Sequence, residues 1–292
     1  MIKFDYKRAA SIENCLELLH QYSGNAKLLA GGTDLMVDFR ADDRKVQHVE
    51  LVIDTTHIPA LKFINEEGDS IRIGAGVTFQ ELWENSLLKI YAPFLCEAGY
   101  SVGSPQIRNA GTIGGSIGTA SPASDPAPPM VAMDTMVNLK SLRGERSLLL
   151  SDFLIKPYKT ALEPDEMIVS VSFKKLNPSG GFSFVKLGRR KTLAIARMNV
   201  AVYVELDENR KAVDVRIVPG ASLPTAARVR KAEKMLLGKA PDYELHREIG
   251  LFVAGEMVKA TGRRWSTAYK EPVIASLIKR ALNQATGIKE NE

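Results

Sequence analysis

The chain has 292 residues, of which 45% are hydrophobic and 25% charged, and its formal charge is +5. This length exceeds the size at which one hydrophobic core usually stops growing, so two domains of a soluble globular protein are expected. Its basic residues are dispersed and are not interleaved with aromatic residues, so nucleic acid is not an expected partner.

Cysteine and histidine usage limits the redox and metal chemistry of the chain. The two cysteines, Cys15 and Cys96, lie in apolar contexts typical of buried small hydrophobic residues in a reduced protein. An iron–sulfur cluster takes about four cysteine thiolates, so this chain alone is not expected to hold one. The four histidines are scattered without metal-ligand spacing, so no metal site is expected.

The beginning of the chain and its apolar runs bear on localisation. Residues 1–6 (MIKFDY) lack the apolar core of a signal peptide. The longest apolar runs fall short of the roughly 18–20 residues that a membrane span needs. We therefore expect a soluble cytoplasmic protein without a membrane span.

The first predicted elements form a small βαβ-like lobe. Apolar residues at helical spacing predict a helix over residues 11–23, opened by Ser11. Short strands are predicted at residues 27–30 and 48–54.

From about residue 60 the pattern changes to hairpins and helices. Strands are predicted at residues 62–65, 70–74, 136–142, 146–150 and 167–173, and helices after Thr78, near 92–99 and after Pro126. A charge, a proline and two glycines within residues 175–181 then predict a domain boundary.

The remainder of the chain reads as a separate α+β domain. Strands are predicted at residues 182–187, 199–206 and 213–218, and helices near 225–237, 243–260 and 271–286. This order is typical of an antiparallel sheet with helices on one face.

Two glycine-rich segments are the strongest candidates for a binding site. The first is LLAGGTDL (28–35), and the second is RNAGTIGGSIGTASPASDP (108–126). Glycine lets the backbone approach a ligand closely, so that successive N–H groups can converge on an anion. The pair predicts one extended diphosphate ligand held from two sides. From the residues alone, each could also be a surface loop, and Thr33 or Asp34 could cap a helix.

These segments closely resemble the flavin-binding subunits of the molybdenum hydroxylases, the xanthine dehydrogenase and carbon monoxide dehydrogenase family. The resemblance extends from Phe4 to the segment RRWSTAYKEPVIASLIKRAL near the end. It implies an α+β fold that begins with a two-lobed FAD-binding (PCMH/vanillyl-alcohol-oxidase-type) domain at 1–176, with lobes at about 1–58 and 59–176. A smaller α+β domain with an antiparallel sheet and helices is expected at 181–288.

The resemblance also implies which residues bind FAD. In that family both glycine-rich segments wrap the cofactor, an acidic residue matching Asp125 contacts it, and a lysine matching Lys186 lies close to the flavin. Ile168 matches an aliphatic position against the ring system, and Val102 stands where some relatives carry an aromatic residue. The predicted cofactor-binding residues are Lys27, Leu28, Leu29, Ala30, Gly31, Gly32, Thr33, Asp34, Leu35, Val102, Gly111, Thr112, Ile113, Gly114, Gly115, Ser116, Asp125, Ile168 and Lys186.

Simpler interpretations of the same residues remain open at this point. Asp125 could cap the following helix, Lys186 could be a solvated lysine on an edge strand, and Ile168 could be an ordinary core residue. No catalytic acid or base and no metal ligand is expected, because the flavin carries the redox chemistry.

Two positions depart from the family pattern. Ser116 replaces the usual asparagine after the paired glycines, which shortens the side chain by which one hydrogen bond to the flavin would form. Ala194 replaces an aspartate that commonly follows Arg190 by four residues. The segment Arg189-Arg190-Lys191 then has no acidic partner, so it is either an attraction site for an anionic acceptor such as NAD or a solvated basic loop.

The function implied by the resemblance is electron transfer within a multi-subunit molybdenum hydroxylase. This chain would carry FAD and pass electrons from a separate [2Fe–2S] subunit to NAD or another acceptor, while a molybdopterin subunit oxidises the substrate. A dimer of such heterotrimers is expected. The alternatives are a stand-alone flavin reductase of the UDP-N-acetylenolpyruvoylglucosamine reductase type and a non-catalytic flavin-binding protein.

Overall fold

The structure is a computed structural model that describes residues 3–190 and 193–289. The helices are α1 (Ile12–Tyr22), α2 (Leu35–Arg40), α3 (Phe79–Glu84), α4 (Ser86–Tyr91), α5 (Pro93–Tyr100), α6 (Pro105–Ala110), α7 (Ile113–Thr119), α8 (Ala127–Ala132), α9 (Leu150–Phe153), α10 (Arg230–Leu236), α11 (Tyr243–Thr261) and α12 (Thr267–Thr286). The strands are β1 (Asp5–Arg8), β2 (Ala26–Leu29), β3 (Leu51–Asp54), β4 (Ile64–Glu67), β5 (Ser70–Gly74), β6 (Met136–Ser141), β7 (Gly144–Leu149), β8 (Leu154–Lys156), β9 (Lys159–Thr160), β10 (Met167–Lys174), β11 (Gly181–Leu187), β12 (Met198–Leu206) and β13 (Ala212–Gly220). Along these described residues, no helix combines the length and apolarity needed to cross a lipid bilayer.

The chain packs into two compact units that interleave along the sequence. The first unit contains the residues up to Leu82, Ser104–Ala120 and Thr135–Lys174, and the second contains Trp83–Gly103, Ser121–Asp134 and the residues from Lys175 onward. The second glycine-rich segment is therefore divided after Ala120, because its last part belongs to the second unit. The domain bounds 1–176 and 181–288 stay a prediction.

A three-stranded parallel sheet opens the first unit, with strand order β1-β3-β2. Helix α1 packs beside it and buries Leu16 and Leu19. Ser11 caps this helix, since its side chain accepts a hydrogen bond from the N–H of Asn14. The predicted βαβ-like lobe is thus confirmed, whereas β1 was missed because its four residues are all exposed and carry no apolar pattern.

A five-stranded antiparallel sheet forms the rest of the first unit's framework, with strand order β4-β5-β10-β6-β7. Its central strand, β10, is buried over nearly its whole length. Ile71, Ile73 and Val171 are fully buried in this sheet. Helix α7 packs against β10, so the second glycine-rich segment is anchored on the central strand.

The second unit is built on the antiparallel sheet β11-β12-β13. Helices α11 and α12 cover one face, which carries Val200 and Val202, and α5 and α8 lie on the other face. The helices predicted within residues 181–288 therefore lie on one face, as expected, whereas the helices on the other face, α5 and α8, come from earlier in the chain. This coverage agrees with β12, where the run from Met198 to Val204 (MNVAVYV) is buried on both faces.

Candidate functional site

The turn after β2 leaves backbone donors free. Strand β2 ends at Leu29 and α2 begins at Leu35, so residues 30–34 connect them. Gly32 has a φ of +68°, in the left-handed region that favours glycine. Within the described part of the chain, the N–H groups of Gly31 and Gly32 donate to no backbone carbonyl. Two adjacent free N–H groups at a glycine turn are suited to bind an anion such as phosphate.

The second glycine-rich segment is largely helical and is not a surface loop. Its residues form the end of α6 and the whole of α7. The N–H groups of Ile113 and Gly114 donate to the carbonyl oxygens of Val77 and Ala75, each at 2.9 Å. The N–H of Gly115 donates to the hydroxyl of Thr112 at 3.1 Å, so the first turn of α7 is satisfied within the protein. A Cβ at Gly114 would lie 2.6 Å from the Cβ of Ala75. This glycine is therefore required for packing, and the N–H groups of Ile113, Gly114 and Gly115 have acceptors within the protein.

The two glycine-rich segments nevertheless lie against each other. A Cβ at Gly31 would stand 1.8 Å from the carbonyl oxygen of Ala110, so only glycine permits this approach. Further along, the hydroxyl of Thr119 donates to the carboxylate of Asp34 at 3.3 Å. The connection 30–34 therefore runs alongside α7.

Helix α7 has an exposed side that carries no side chains. Gly115 and Gly118 are both exposed and lie three residues apart, on one side of the helix. A Cβ at Gly115 would stand 3.0 Å from the hydroxyl of Thr112 and 3.9 Å from the Cβ of Ala30, and one at Gly118 would stand 3.8 Å from Cδ1 of Ile168. This bare backbone is thus bordered by the first glycine-rich segment and by strand β10.

The other candidates of the first unit fall on the same elements. Lys27, Leu28 and Leu29 lie on β2, Thr33 lies in the turn, Asp34 and Leu35 begin α2, Gly111 and Thr112 precede α7, and Ser116 lies on α7. Asp34 stands at the N-cap position without a side-chain hydrogen bond to the helix, because its carboxylate accepts from α7.

The second unit holds the remaining candidates in a buried network. Lys186 Nζ donates to the carboxylate of Asp125 at 2.5 Å and to the carbonyl oxygen of Ser101 at 2.9 Å. The side-chain amide of Asn199 donates to the other carboxylate oxygen of Asp125 at 3.1 Å. Val102 is half-buried and directly follows Ser101 in the chain. The structure thus brings Asp125, Lys186 and Val102 to one place.

The Asp125–Lys186 pair is buried rather than solvated. The exposed fractions of the two side chains are 7% and 14%, which rules out a solvated edge lysine. Burial raises the pKa of Asp125, and this effect is opposed by the charge and hydrogen bond of Lys186 and by the amide of Asn199. Asp125 does not cap α8, since Pro126 occupies the N-cap position.

Sequence reasoning missed Asn199. The residue is fully buried on β12, in the middle of the run MNVAVYV. A lone amide inside an otherwise apolar strand is a signal for a buried polar partner, because a buried polar group needs a hydrogen bond. The identity of that partner, Asp125, depends on the tertiary structure.

The basic segment separates into residues with different surroundings. The guanidinium of Arg190 donates to the carbonyl oxygen of Leu193 at 2.5 and 3.0 Å, whereas Arg189 lines a cavity of about 450 Å³ in the second unit. Lys191 lies outside the described residues. Other lining residues are Pro122, Ala123, Ala196, Arg197, Ala221, Trp265, Ser266, Tyr269 and Lys270. The cavity thus combines cationic and aromatic side chains.

Two family models match the chain over most of its length. Residues 2–173 match the model described as the FAD binding domain in molybdopterin dehydrogenase. Residues 183–285 match the CO dehydrogenase flavoprotein C-terminal domain. The chain belongs to the FAD-binding subunits of the molybdopterin dehydrogenases.

Relatives of known function and known structure span this chain almost completely. The nicotinate dehydrogenase FAD-subunit of Eubacterium barkeri is 32% identical over 285 residues, which are 96% of this chain and 95% of that one. The xanthine dehydrogenase FAD-binding subunit of Escherichia coli O157:H7 is 29% identical, over 96% of this chain and 95% of that one. A carbon monoxide dehydrogenase structure from Hydrogenophaga pseudoflava matches with a TM-score of 0.90 and 30% identity, over 98% of this chain and 99% of that one.

Membership of the molybdopterin dehydrogenase family identifies the cofactor, and it confirms the predicted resemblance and fold class. FAD is the cofactor, and the chain is the flavin subunit of an oxidoreductase. The geometry of the first unit fits this cofactor. Free N–H groups at Gly31 and Gly32 adjoin a helix surface on which Gly115 and Gly118 leave room for a diphosphate.

Proposed function

We propose that this FAD-binding subunit transfers electrons within a multi-subunit molybdenum hydroxylase, from an iron–sulfur subunit to NAD or another acceptor. When bound, FAD supplies the ability to accept and release electrons singly or as a hydride. The observation that supports this role is the glycine surface of the first unit, where Gly31 and Gly32 offer unused N–H donors beside α7.

In this proposal the first unit binds the FAD diphosphate. The N–H groups of Gly31 and Gly32 donate to phosphate oxygens, and the hydroxyls of Thr33 and Ser116 add donors without bulk. Ile168, whose Cδ1 would lie 3.8 Å from a Cβ at Gly118, also contacts the cofactor in this proposal. The other predicted residues on β2, in the turn and before α7 shape this surface.

The second unit contributes Asp125, Lys186 and Val102 to the flavin. An ammonium group has three donors, and Lys186 directs two of them to protein acceptors at Asp125 and Ser101. Its remaining N–H is available to an acceptor atom of the flavin. Val102 offers a small apolar surface and no aromatic stacking. None of these residues needs to act as an acid or base.

The cavity beside Arg189 is the proposed site for the electron acceptor. Its volume of about 450 Å³ lies within the roughly 300–1,000 Å³ range of small-molecule sites. Arg189, Arg197 and Lys270 supply positive charge for an anion, and Trp265 and Tyr269 supply flat surfaces for a ring. These features favour an acceptor that is both anionic and aromatic, as NAD is.

The partner subunits follow from the family. Relatives are named as FAD subunits or medium chains of xanthine, nicotinate and carbon monoxide dehydrogenases, which implies further chains in each enzyme. We propose that this chain assembles with a [2Fe–2S] subunit and a molybdopterin subunit, and that the oxidised substrate binds on the latter.

Flavin binding by two glycine variants tests the proposed diphosphate site. Gly32→Val should lower the FAD content of the purified full chain by at least tenfold. Gly32 has a φ of +68° and its Cβ would crowd Leu29 and Met36, so the turn that presents the two N–H groups to the phosphates would have to move. Gly68→Val is the matched control, since Gly68 also has a positive φ (+63°) but lies in the turn between β4 and β5, with no atom within 4 Å of its would-be Cβ.

Flavin absorbance after gel filtration and FAD titration by fluorescence measure the difference. Both variants carry the same kind of backbone strain, so an equal loss of FAD in both would point to general destabilisation. A full flavin content in Gly32→Val would contradict the proposed site.

A further inference from the structure

A row of three residues crosses the sheet of the second unit beneath Asp125. Lys186 on β11 pairs with Asn199 on β12, and Asn199 pairs with Gly220 on β13. Directly opposite residues of antiparallel strands share a face, so the side chains of Lys186 and Asn199 are neighbours. Gly220 leaves room for the amide, since a Cβ there would lie 2.2 Å from Oδ1 of Asn199.

The amide of Asn199 can point in only one direction. Its Nδ2 donates to the carbonyl oxygen of Ser124 and to the carboxylate of Asp125, both at 3.1 Å, which uses both of its hydrogens. The flipped orientation would place Oδ1 against those two acceptors. In the observed one, the fully buried Oδ1 has no hydrogen-bond partner among the described residues.

That unpartnered oxygen calls for an explanation. A buried polar atom without a partner destabilises the fold, and an apolar residue of similar size would avoid this cost. Asn199 lies between Val200 and Met198, on a strand otherwise suited to apolar residues. An asparagine at this position is explained by the two hydrogen bonds through which its Nδ2 holds the Ser124–Asp125 segment.

We propose that Asn199 is a positioning residue for the flavin, because it fixes Asp125 and thereby sets the direction in which Lys186 offers its remaining N–H. This inference rests on the proposed function, in which Lys186 lies close to the flavin. Each carboxylate oxygen of Asp125 has its own donor, Asn199 for Oδ1 and Lys186 for Oδ2. Without the amide, the carboxylate is free to rotate, and the ammonium follows it.

The test compares single and double variants of the FAD-loaded full chain. Lys186→Met removes a positive charge and should lower the flavin midpoint potential, because electron uptake makes the flavin more negative. Asn199→Leu should shift the potential in the same direction by a smaller amount and weaken FAD binding severalfold. The Asn199→Leu/Lys186→Met double variant should match Lys186→Met, because Asn199 acts only through Lys186.

A second buried amide supplies the control for a purely structural role. Asn283→Leu removes an amide on α12 whose oxygen is bonded to the ring of His246, within the same unit. This control should lower the melting temperature without moving the flavin potential. If Asn199→Leu does not fold, Asn199→Thr replaces it, because threonine suits a strand and its hydroxyl is too short to reach Asp125.

The outcomes separate this inference from the proposed function. A shift with Lys186→Met, combined with an Asn199 variant that behaves like Asn283→Leu, would overturn the positioning role and leave the proposed function intact. Additive shifts in the double variant would also overturn it. If Lys186→Met changes neither the potential nor FAD affinity, the placement of the flavin at Lys186 is itself wrong.

Discussion

Arg189 and Arg190 are neighbours in the chain with different surroundings. The guanidinium of Arg190 is held by the carbonyl oxygen of Leu193, whereas Arg189 lines the cavity that also contains Arg197 and Lys270. Electrostatic attraction depends on distance and exposure, so two arginines adjacent in sequence need not contribute equally. The sequence predicted a basic segment near the acceptor, and the structure indicates which of its described members faces a cavity.

Replacing Arg189 should therefore affect an anionic acceptor more than replacing Arg190. In the assembled enzyme, Arg189→Gln should raise the KM for NAD by roughly threefold to tenfold, since one partly solvated charge contributes about 1 kcal/mol. The difference should fade as salt rises, because screening acts over about 10 Å at 0.1 M ionic strength. Steady-state kinetics across a salt series measure both effects.

Arg190→Gln is the matched control and should leave the KM nearly unchanged. Electron transfer to a neutral dye should be unaffected in both variants, since no anion has to be attracted. Equal KM values at low salt would show the segment to be an ordinary basic loop. Loss of bound FAD from Arg189→Gln would instead place Arg189 in the flavin site.

Two glycines of helix α7, Gly114 and Gly118, have different structural roles. Gly114 faces inward, where its would-be Cβ lies 2.6 Å from the side chain of Ala75. Gly118 faces outward, where the nearest atom, on Ile168, is 3.8 Å away. The first glycine permits close packing of the helix, and the second leaves the surface open, where the proposed function places FAD.

Alanine at these two positions should therefore have opposite effects on stability. Gly114→Ala should destabilise the chain by about 1–3 kcal/mol, as overpacking of a well-filled site commonly does. Gly118→Ala should stabilise the FAD-free chain by about 0.5–1 kcal/mol, because alanine favours the helix. Its added methyl group should nonetheless weaken FAD binding. Thermal unfolding without FAD and FAD titration test this pair, and unchanged FAD affinity in Gly118→Ala would place the cofactor elsewhere.

Only part of the structure of α7 could be predicted from the sequence. The glycine-rich run correctly indicated close approach at Gly111 and Gly114, but composition does not say whether a ligand or another part of the chain approaches. At Gly114 the neighbour is Ala75, a contact between distant parts of the sequence. Helical propensity is low for such a run, so packing against β10 decides its conformation.

Other elements were predictable to the extent that their patterns are local. The hairpin of β4 and β5 and the long C-terminal helices follow apolar periodicity and turn residues, so their presence was predicted correctly. The Asp125–Lys186 pair was not predictable as an ion pair from the residues alone. It joins positions 61 residues apart, and only the tertiary structure of the second unit brings them together.

For the whole molecule, the question is where the electrons of the flavin come from. The sequence contains two cysteines, Cys15 and Cys96, and both are buried. Burial raises the pKa of each thiol to about 12, so neither side chain is a ready thiolate ligand. Among residues 3–190 and 193–289, no group of three or more His, Cys, Asp or Glu side chains is arranged to hold a metal ion. In the proposed function, the iron–sulfur centre that reduces this flavin belongs to another chain.

This reasoning predicts that the chain isolated from its native host elutes with a cluster-bearing subunit and a pterin-bearing subunit. Iron and molybdenum should co-elute with flavin absorbance in gel filtration, with about two irons for each FAD if one [2Fe–2S] cluster feeds it. Dissociation with mild denaturant should leave FAD-binding material that an artificial reductant reduces but that substrate no longer does, since the molybdenum centre is gone. The recombinant chain produced alone is the matched control and should carry neither metal. A lone chain that oxidises substrate by itself would overturn the assignment of this protein as one subunit of an electron-transfer assembly.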